Sequence, residues 1–208
     1  MKNEKNKETL IKELLPAAII GVSSLFVSYI PAILYLFIEK FVRKLPFSEI
    51  GFGIKGLFKS IQKYWWLILA PIATALSSVY LSKLVVPEFF DHVIERTEPM
   101  LVSYKLYVLI PLILLLAFAE EIGFRAFLQR KFNFCINPIA AILITSLLFA
   151  VGHFSKASPI VVIYDLTWIF IDSIIFGTVF YKTKSVYLSW ISHSLGNLTG
   201  VVLMLVIF

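Results

Sequence analysis

Long apolar runs with few or no charged side chains constrain this sequence more than any other feature. Residues 14–38 form one such run without a single charge, and five more runs follow along the chain. A helix needs roughly 20 mostly apolar residues to cross a bilayer. The chain is 59% hydrophobic and 15% charged, whereas a soluble domain has about 25% charged residues. The runs therefore predict a membrane protein.

Six membrane helices account for these runs. They are predicted at residues 14–38, 64–82, 106–119 with a continuation toward 132, 132–152, 160–181 and 185–208. The expected fold class is an all-α, polytopic helical bundle with about six transmembrane helices. Basic residues divide almost evenly between the two sides, so they leave the orientation open.

The segments between the runs are polar and of three kinds. Residues 1–13 mix acids with lysines and are predicted to be a solvated leader. Residues 39–63 are basic and broken by proline and glycine, and their end has apolar residues at helical spacing, which favours a position along the membrane interface. Residues 87–99 are predicted to be a charged loop.

Charge and cysteine content exclude several classes of protein. The net charge is +6, but the basic residues lie between apolar runs rather than on one patch. This distribution favours anionic lipid headgroups as the partner and excludes nucleic acid. The single cysteine, Cys135, excludes a disulfide framework and a multi-cysteine metal site. It precedes the predicted helix start at Asn137-Pro138, away from the other reactive groups, so no nucleophilic cysteine is expected.

Ionisable side chains inside the apolar runs indicate where function lies, because such groups are costly in a bilayer and usually line a cavity or pair with each other. Glu120, Glu121 and Arg125 interrupt the third run. Glu121 and Arg125 are four residues apart, so they share a helical face and are expected to form an ion pair. Glu120 points about 100° away and has no obvious neutralising partner. One carboxylate is therefore expected to be structural and the other available for chemistry.

Two histidines and an asparagine lie in other runs. His153 follows the fourth run, and His193 and Asn197 lie four residues apart in the sixth. The helical rise places Glu120 and these three residues about 13–23 Å from one side of the membrane, so one shared buried site is expected. A buried carboxylate suits a general base, and imidazole and amide N–H groups suit an oxyanion. The pattern predicts attack of an activated water on an amide.

These motifs resemble those of the CAAX-protease and bacteriocin-processing family of intramembrane glutamic endopeptidases, also called the abortive-infection family. The family pattern is Glu-Glu-x-x-x-Arg, then Phe-x-x-x-His, then His-x-x-x-Asn. The sequence has all three in this order, as Glu120-Glu121…Arg125, Phe149…His153 and His193…Asn197. The resemblance extends from residue 106 to about residue 200.

The resemblance implies a role for each residue of the expected site. Glu120, together with His153, is implied to activate the catalytic water. His193 and Asn197 are implied to form the oxyanion hole. Neither a metal ion nor a cofactor is implied.

The remaining two motif residues, Glu121 and Arg125, are implied to order the site, and a merely helix-stabilising ion pair is the alternative. Residues 106–208 are then the intramembrane protease core, while residues 1–105, the leader and the first two helices, have no family signature. The expected activity is hydrolysis of a membrane-associated peptide or protein. The expected setting is a bacterial cell membrane, in bacteriocin or peptide-pheromone processing or in self-immunity.

Two other function classes fit the same residues. A zinc-dependent membrane protease would use His153, His193 and a glutamate as ligands, although no His-Glu-x-x-His motif occurs. A non-proteolytic immunity or scaffold protein would keep the fold and bind a partner. Asp165 and Asp172 are seven residues apart on one face of the fifth run, and they are expected to line a cavity.

Overall fold

The computed structural model describes residue 19, residues 30–103 and residues 105–207, and within these ranges it has helices and no β-strand. The helices are α1 (Ile30–Phe41), α2 (Leu57–Val85), α3 (Glu88–Ser103), α4 (Leu106–Glu121), a π-helix (Ile122–Gln129), α5 (Arg130–Cys135), α6 (Pro138–Gly152), α7 (Pro159–Thr183) and α8 (Val186–Ile207). The predicted all-α class is confirmed.

Four continuous helical stretches in the described ranges are long and apolar enough to cross a membrane. They are Leu57–Val85, Leu106–Cys135, Pro159–Thr183 and Val186–Val206. Only 28–33% of the most apolar window of each stretch is buried inside the protein. The outward faces are therefore largely apolar, which suits contact with lipid. The predicted polytopic membrane bundle is confirmed.

The other two predicted spans differ from these four. The span predicted at 132–152 corresponds to α6, which is apolar but has 15 residues. Of the span predicted at 14–38, only residue 19 and the part from residue 30 onward are described, and that later part belongs to α1. The rest of this span and the predicted leader at 1–13 lie outside the described residues. The count of about six spans thus remains a prediction for the first helix and for α6.

A helix, α3, occupies the segment between the second and third spans, so the prediction of a charged loop there is wrong. Glu88 and Asp91 lie in its first turn, where carboxylates stabilise the positive end of the helix dipole. Phe89 is buried in a cluster with Val86 and Val161 of α7. Packing of this apolar face against α7 stabilises a helix that its polar composition alone does not indicate.

The second predicted span begins earlier than expected. Helix α2 starts at Leu57 and includes Tyr64, whose φ of −120° and ψ of 17° introduce a kink. The residues before Tyr64 are those with apolar side chains at helical spacing. Those from Leu57 onward form about two helical turns that continue into the span through the kink.

Two hydrogen bonds join the π-helix to α7. Arg125 Nη2 donates to Ser173 Oγ at 2.7 Å, and Gln129 Nε2 donates to the carbonyl oxygen of Gly177 at 2.8 Å. A step of four residues on one helix matches a step of four on the other, so the two segments run parallel. A Cβ atom added at Gly177 would lie 2.8 Å from Gln129 Oε1, so a larger residue would displace the Gln129 amide that bonds to this turn of α7.

A buried charge cluster ties α1 to α5. Glu39 is 1% exposed, and its carboxylate accepts hydrogen bonds from Arg130 Nη2 and, at 2.5 Å, from Lys131 Nζ. Arg43 Nη1 lies 3.8 Å from the same carboxylate. Removing Glu39 would leave buried cations without a counter-charge, so this cluster holds α1 against the rest of the bundle.

Candidate active site

Glu120 faces two histidine rings from different helices. Its Oε1 atom lies 4.0 Å from His153 Nε2, and its Oε2 atom lies 3.6 Å from His193 Nε2. The side chain of Glu120 is 18% exposed and that of His153 is 32% exposed, whereas His193 is almost fully buried. The Glu120 carboxylate therefore lies between the buried ring of His193 and the partly exposed ring of His153.

Helix ends place two of these three groups. Glu120 is the second-last residue of α4, just before the π-helix, and His153 caps the end of α6. His153 Nδ1 donates to the carbonyl oxygen of Phe149 at 2.8 Å, because a carbonyl oxygen can only accept. This bond satisfies a carbonyl at the helix terminus. It also turns His153 Nε2 toward Glu120.

Aromatic rings hold both imidazoles. Phe149 packs against His153 with ring centroids 4.4 Å apart and against His193 at 5.7 Å. Phe176 of α7 stacks on His193 at 4.5 Å with an interplanar angle of 16°. The phenylalanine of the Phe-x-x-x-His motif thus contacts both histidine rings, which explains its place in the motif in terms of packing.

Glu121 lies at the centre of a buried network behind the histidines. Its carboxylate is 0% exposed. It accepts hydrogen bonds from Arg125 Nε at 3.3 Å, from His193 Nδ1 at 3.0 Å and from the hydroxyl of Ser189. The predicted ion pair between Glu121 and Arg125 is present. The bond to His193 fixes the orientation of the imidazole and directs its Nε2 atom toward Glu120.

Arg125 is as deeply buried as its partner. Its side chain is 0% exposed, and it also donates to Ser173 and lies 5.5 Å from the ring centroid of Phe149. Glu121 is paired with this guanidinium at 3.3 Å, whereas Glu120 interacts with it only electrostatically, without an ion pair. Since Glu121 is bonded to Arg125 and Glu120 is not, the two adjacent glutamates have different surroundings, as their helical positions predict.

Asn197 lies one turn beyond His193 on α8, beside a cavity rather than beside the carboxylate. The cavity has a volume of about 280 Å³ and is lined by residues of α2, α3, α4, α7 and α8, including Asn197. Within the described residues, Asn197 has no hydrogen bond to Glu120, His153 or His193. The structure thus brings three of the four predicted catalytic residues into contact distance and places the fourth next to them at the cavity.

Asp165 and Asp172 both line this cavity, as predicted. Asp165 is buried and bonded to Arg96 Nη1 at 2.5 Å. Asp172 accepts a hydrogen bond from the hydroxyl of Thr74 on α2. The cavity therefore has one carboxylate bonded to an arginine and one that is hydrogen-bonded to a hydroxyl group and interacts electrostatically with His193.

Sequence reasoning missed two serines of the site. Ser189 donates to Glu121, and Ser173 accepts from Arg125. Ser189 lies four residues before His193, so the two side chains share a helical face, and this spacing could have indicated the contact from the sequence. Ser173 had no such signal, because its contact depends on how α7 is rotated against the π-helix.

The spacing of the acidic and histidine side chains bears on metal binding. Among the described residues, no group of three or more histidine, cysteine, aspartate or glutamate side chains is arranged to hold a metal ion. The Glu120 carboxylate instead lies 4.0 Å from His153 Nε2 and 3.6 Å from His193 Nε2, distances that one water molecule can bridge.

Comparison with known proteins gives a family for the second half of the chain. Residues 102–199, a little under half of the sequence, match the family model described as Rce1-like, type II CAAX prenyl endopeptidase Rce1-like. This region is similar to the Rce1-like family. The match includes all three motifs and confirms the resemblance to the CAAX-protease family. No curated protein and no solved structure matched the chain.

The Rce1-like family is a protease family, so the match supports a peptidase. Together with the four membrane-spanning stretches, it supports an integral membrane protein that acts on peptide substrates. The Rce1-like region begins at residue 102, and the boundary predicted at residue 106 between an unassigned part and a protease core remains a prediction. The bacterial setting also remains a prediction.

Proposed function

We propose that this protein is an intramembrane glutamic endopeptidase, in which Glu120 is the general base. The observation that carries the proposal is the position of the Glu120 carboxylate between His153 Nε2 and His193 Nε2, at 4.0 and 3.6 Å. Among the described residues, no arginine or lysine lies within ion-pair distance of this carboxylate. A carboxylate in this position is available to accept a proton.

The proposed reaction begins with a water molecule between Glu120 and His153. Since His153 donates its Nδ1 proton to a backbone carbonyl, the Nε2 atom of the neutral ring is an acceptor for that water. Glu120 removes one proton while the water oxygen forms a bond to the peptide carbonyl carbon. The C–N bond then breaks, and the proton held by Glu120 passes to the leaving amine nitrogen.

The negative charge on the carbonyl oxygen needs hydrogen-bond donors in a site of low dielectric constant. We assign this role to His193, with Asn197 as the second donor. His193 is bonded to Glu121 through Nδ1, so its Nε2 atom is held in a fixed direction toward the reacting groups. Asn197 lies one helical turn away on the same face of α8, where its amide group reaches the cavity.

Glu121 and Arg125 act as positioning residues in this proposal. Both side chains are fully buried, and Glu121 bonds to the imidazole that donates to the oxyanion. A carboxylate behind a histidine holds the ring orientation and stabilises its protonated form, as in other hydrolytic sites. Glu121 thereby links the buried Arg125 to the imidazole of His193.

The proposed substrate is a membrane-associated peptide or protein segment. The cavity beside Asn197 is mostly apolar and lies among membrane-spanning helices, which suits a segment that enters from the bilayer. Processing of a bacteriocin or peptide pheromone, or self-immunity, is the biological role that we propose for this activity.

Mass spectrometry of peptide products tests the proposal. The purified full-length protein is incubated with a farnesylated peptide ending in Cys-aliphatic-aliphatic-X, with the same peptide lacking the lipid, and with apolar leader peptides. We expect cleavage of at least one peptide by the wild type and loss of cleavage in Glu120→Gln. Glu95→Gln, the same change at an exposed position of α3, is the matched control and should cleave normally. Equal cleavage by Glu120→Gln and the control would exclude Glu120 as the base.

A further inference from the structure

The cavity beside the candidate active site is a channel that leads away from it. On α8 its wall runs from Asn197 to Met204, and on α7 from Asp172 to Asp165. Each pair is seven residues apart, which corresponds to about 10 Å along a helix. Asp172 and Asn197 line the end nearer to His193, and Asp165 and Met204 line the far end. The channel is therefore long enough to hold an extended side chain.

The charge at the far end of the channel is compensated. Arg96 Nη1 donates to Asp165 Oδ2 at 2.5 Å, and His92 Nε2 lies 4.0 Å from the same oxygen. His92 is in turn hydrogen-bonded to Ser155 Oγ at 2.9 Å. Asp165 thus has its own basic partners and does not need a ligand to neutralise it.

The charge at the near end has no arginine or lysine partner among the described residues, although the His193 ring interacts with it electrostatically. Asp172 is half-buried, and its Oδ1 atom accepts a hydrogen bond from the hydroxyl of Thr74. Within the described part of the chain, no arginine or lysine is paired with Asp172. The hydroxyl of Thr74 orients the carboxylate but contributes no positive charge. A carboxylate with this environment in a membrane-spanning helix is costly unless a cation is supplied from elsewhere.

The walls of the channel favour the same kind of ligand. Trp168 lies one turn before Asp172 on α7 and lines the same space, together with Ile169 and Ile113. Apolar walls accommodate the methylene groups of a long side chain, and an indole face attracts a cation. An acidic side chain would be repelled by Asp172, and an apolar one would leave the carboxylate unpaired.

We propose that this channel binds a cationic side chain, lysine or arginine, and that Asp172 is its counter-ion. Naming the ligand as a side chain of the substrate rests on the proposed peptidase function, whereas the binding of an alkylammonium group by the channel does not. Since Asp172 lies at the end nearer to the catalytic residues, the basic residue of the substrate lies close to the scissile bond. Asp172 is then a specificity-determining residue.

Binding of two probes of equal length tests the cation site without any cleavage. The probes are n-hexylammonium at neutral pH and hexan-1-ol, titrated into the detergent-solubilised full-length protein and followed by tryptophan fluorescence, because Trp168 lines the channel. A hydrogen bond between two charged groups corresponds to about a ten- to hundredfold preference. We expect the wild type to prefer hexylammonium by at least about tenfold. Equal affinities for the two probes in the wild type would overturn the proposal.

Three variants assign the preference to Asp172. Asp172→Asn keeps the size of the side chain and should bind both probes equally. Asp172→Glu keeps the charge and should retain the preference. Glu95→Gln removes one negative charge from an exposed position outside the channel and should behave like the wild type. A preference that persists in a folded Asp172→Asn protein, or that is lost in Glu95→Gln, contradicts the assignment.

Peptide cleavage then separates this proposal from the peptidase proposal. Peptides that carry lysine or norleucine at each position near the cut site should be discriminated by the wild type and not by Asp172→Asn. If hexylammonium is preferred but no peptide is cleaved, the cation site stands and the peptidase proposal fails. If peptides are cleaved without any preference for lysine, and hexylammonium is not preferred, the peptidase proposal stands and the cation site fails.

Discussion

Replacing each of the adjacent glutamates with glutamine should affect stability and activity to different extents. Glu120→Gln should abolish peptide cleavage and leave the protein folded. Glu121→Gln should destabilise the protein and lower the activity as a consequence. Both changes remove one negative charge from neighbouring positions and keep the size of the side chain, so a difference between them reports on their surroundings.

The cost of Glu121→Gln follows from its three bonds. The carboxylate accepts from Arg125, His193 and Ser189, whereas a glutamine presents one acceptor oxygen and an NH₂ group that opposes the donors. Arg125 is also left without its counter-charge at a fully buried position. Breaking such a buried pair costs about 3–5 kcal/mol. At about 2–4 °C per kcal/mol, the melting temperature should fall by roughly 6–20 °C.

The cost of Glu120→Gln should be much smaller. Its carboxylate is partly exposed, and its closest charged contacts, with His193 and His153, are 3.6 and 4.0 Å long. The loss in folding free energy should therefore stay within about 1 kcal/mol. Removal of a general base typically lowers the rate by about 100- to 10,000-fold. The cleavage rate of Glu120→Gln should therefore fall much further than its small loss of stability would explain.

The assay combines peptide cleavage with thermal unfolding of the detergent-solubilised protein. Both variants are compared with the wild type and with Glu95→Gln, which should match the wild type in both measurements. Activity is expressed per folded molecule, so that the instability of Glu121→Gln is separated from its chemistry. Normal cleavage by Glu120→Gln together with a folded but inactive Glu121→Gln would reverse the assignment of base and positioning residue.

Three further predictions concern the rest of the molecule. Glu39→Gln should lower the free energy of unfolding by about 3–5 kcal/mol, because Arg130 and Lys131 lose their buried counter-charge. Thermal unfolding measures this loss, and the cleavage assay should show unchanged activity per folded molecule. Gly177→Ala should cost about 1–3 kcal/mol, since the new Cβ would meet Gln129 Oε1 at 2.8 Å, and unfolding should show it. Cleavage should survive treatment with a metal chelator, and activity that is lost and then restored only by zinc would favour a metalloprotease.

Much of the site could be predicted from spacing along single helices. The pairing of Glu121 with Arg125 follows from their four-residue separation. The rise per residue alone predicts that Glu120 lies at a similar membrane depth to His153 and His193. Residue spacing and membrane depth are both properties of a single helix, measured from one of its ends. They are the part of the structure that a sequence determines directly.

Contacts that depend on the rotation of two helices about their axes could not be predicted in this way. The bond from Arg125 to Ser173 and the position of Asn197 at the cavity rather than at Glu120 depend on how α7 and α8 are turned. Helix α3 was missed for a related reason, since its apolar face is stabilised by α7 and its own composition is polar. Residue spacing along each helix determines how deep a side chain lies in the membrane, whereas the packing of the helices determines which way that side chain points.

The carboxylates inside the bundle fall into two groups according to their partners. Glu39, Glu121 and Asp165 each have an arginine or lysine bonded to them. Glu120 and Asp172 have none within the described residues, and these two face the histidines and the channel. Because an uncompensated carboxylate is costly in the membrane, compensation is expected wherever an acid serves the fold alone. Glu120 and Asp172, which have histidine but no arginine or lysine near them, are therefore the positions at which we expect a water molecule and a cationic substrate group to complete the network.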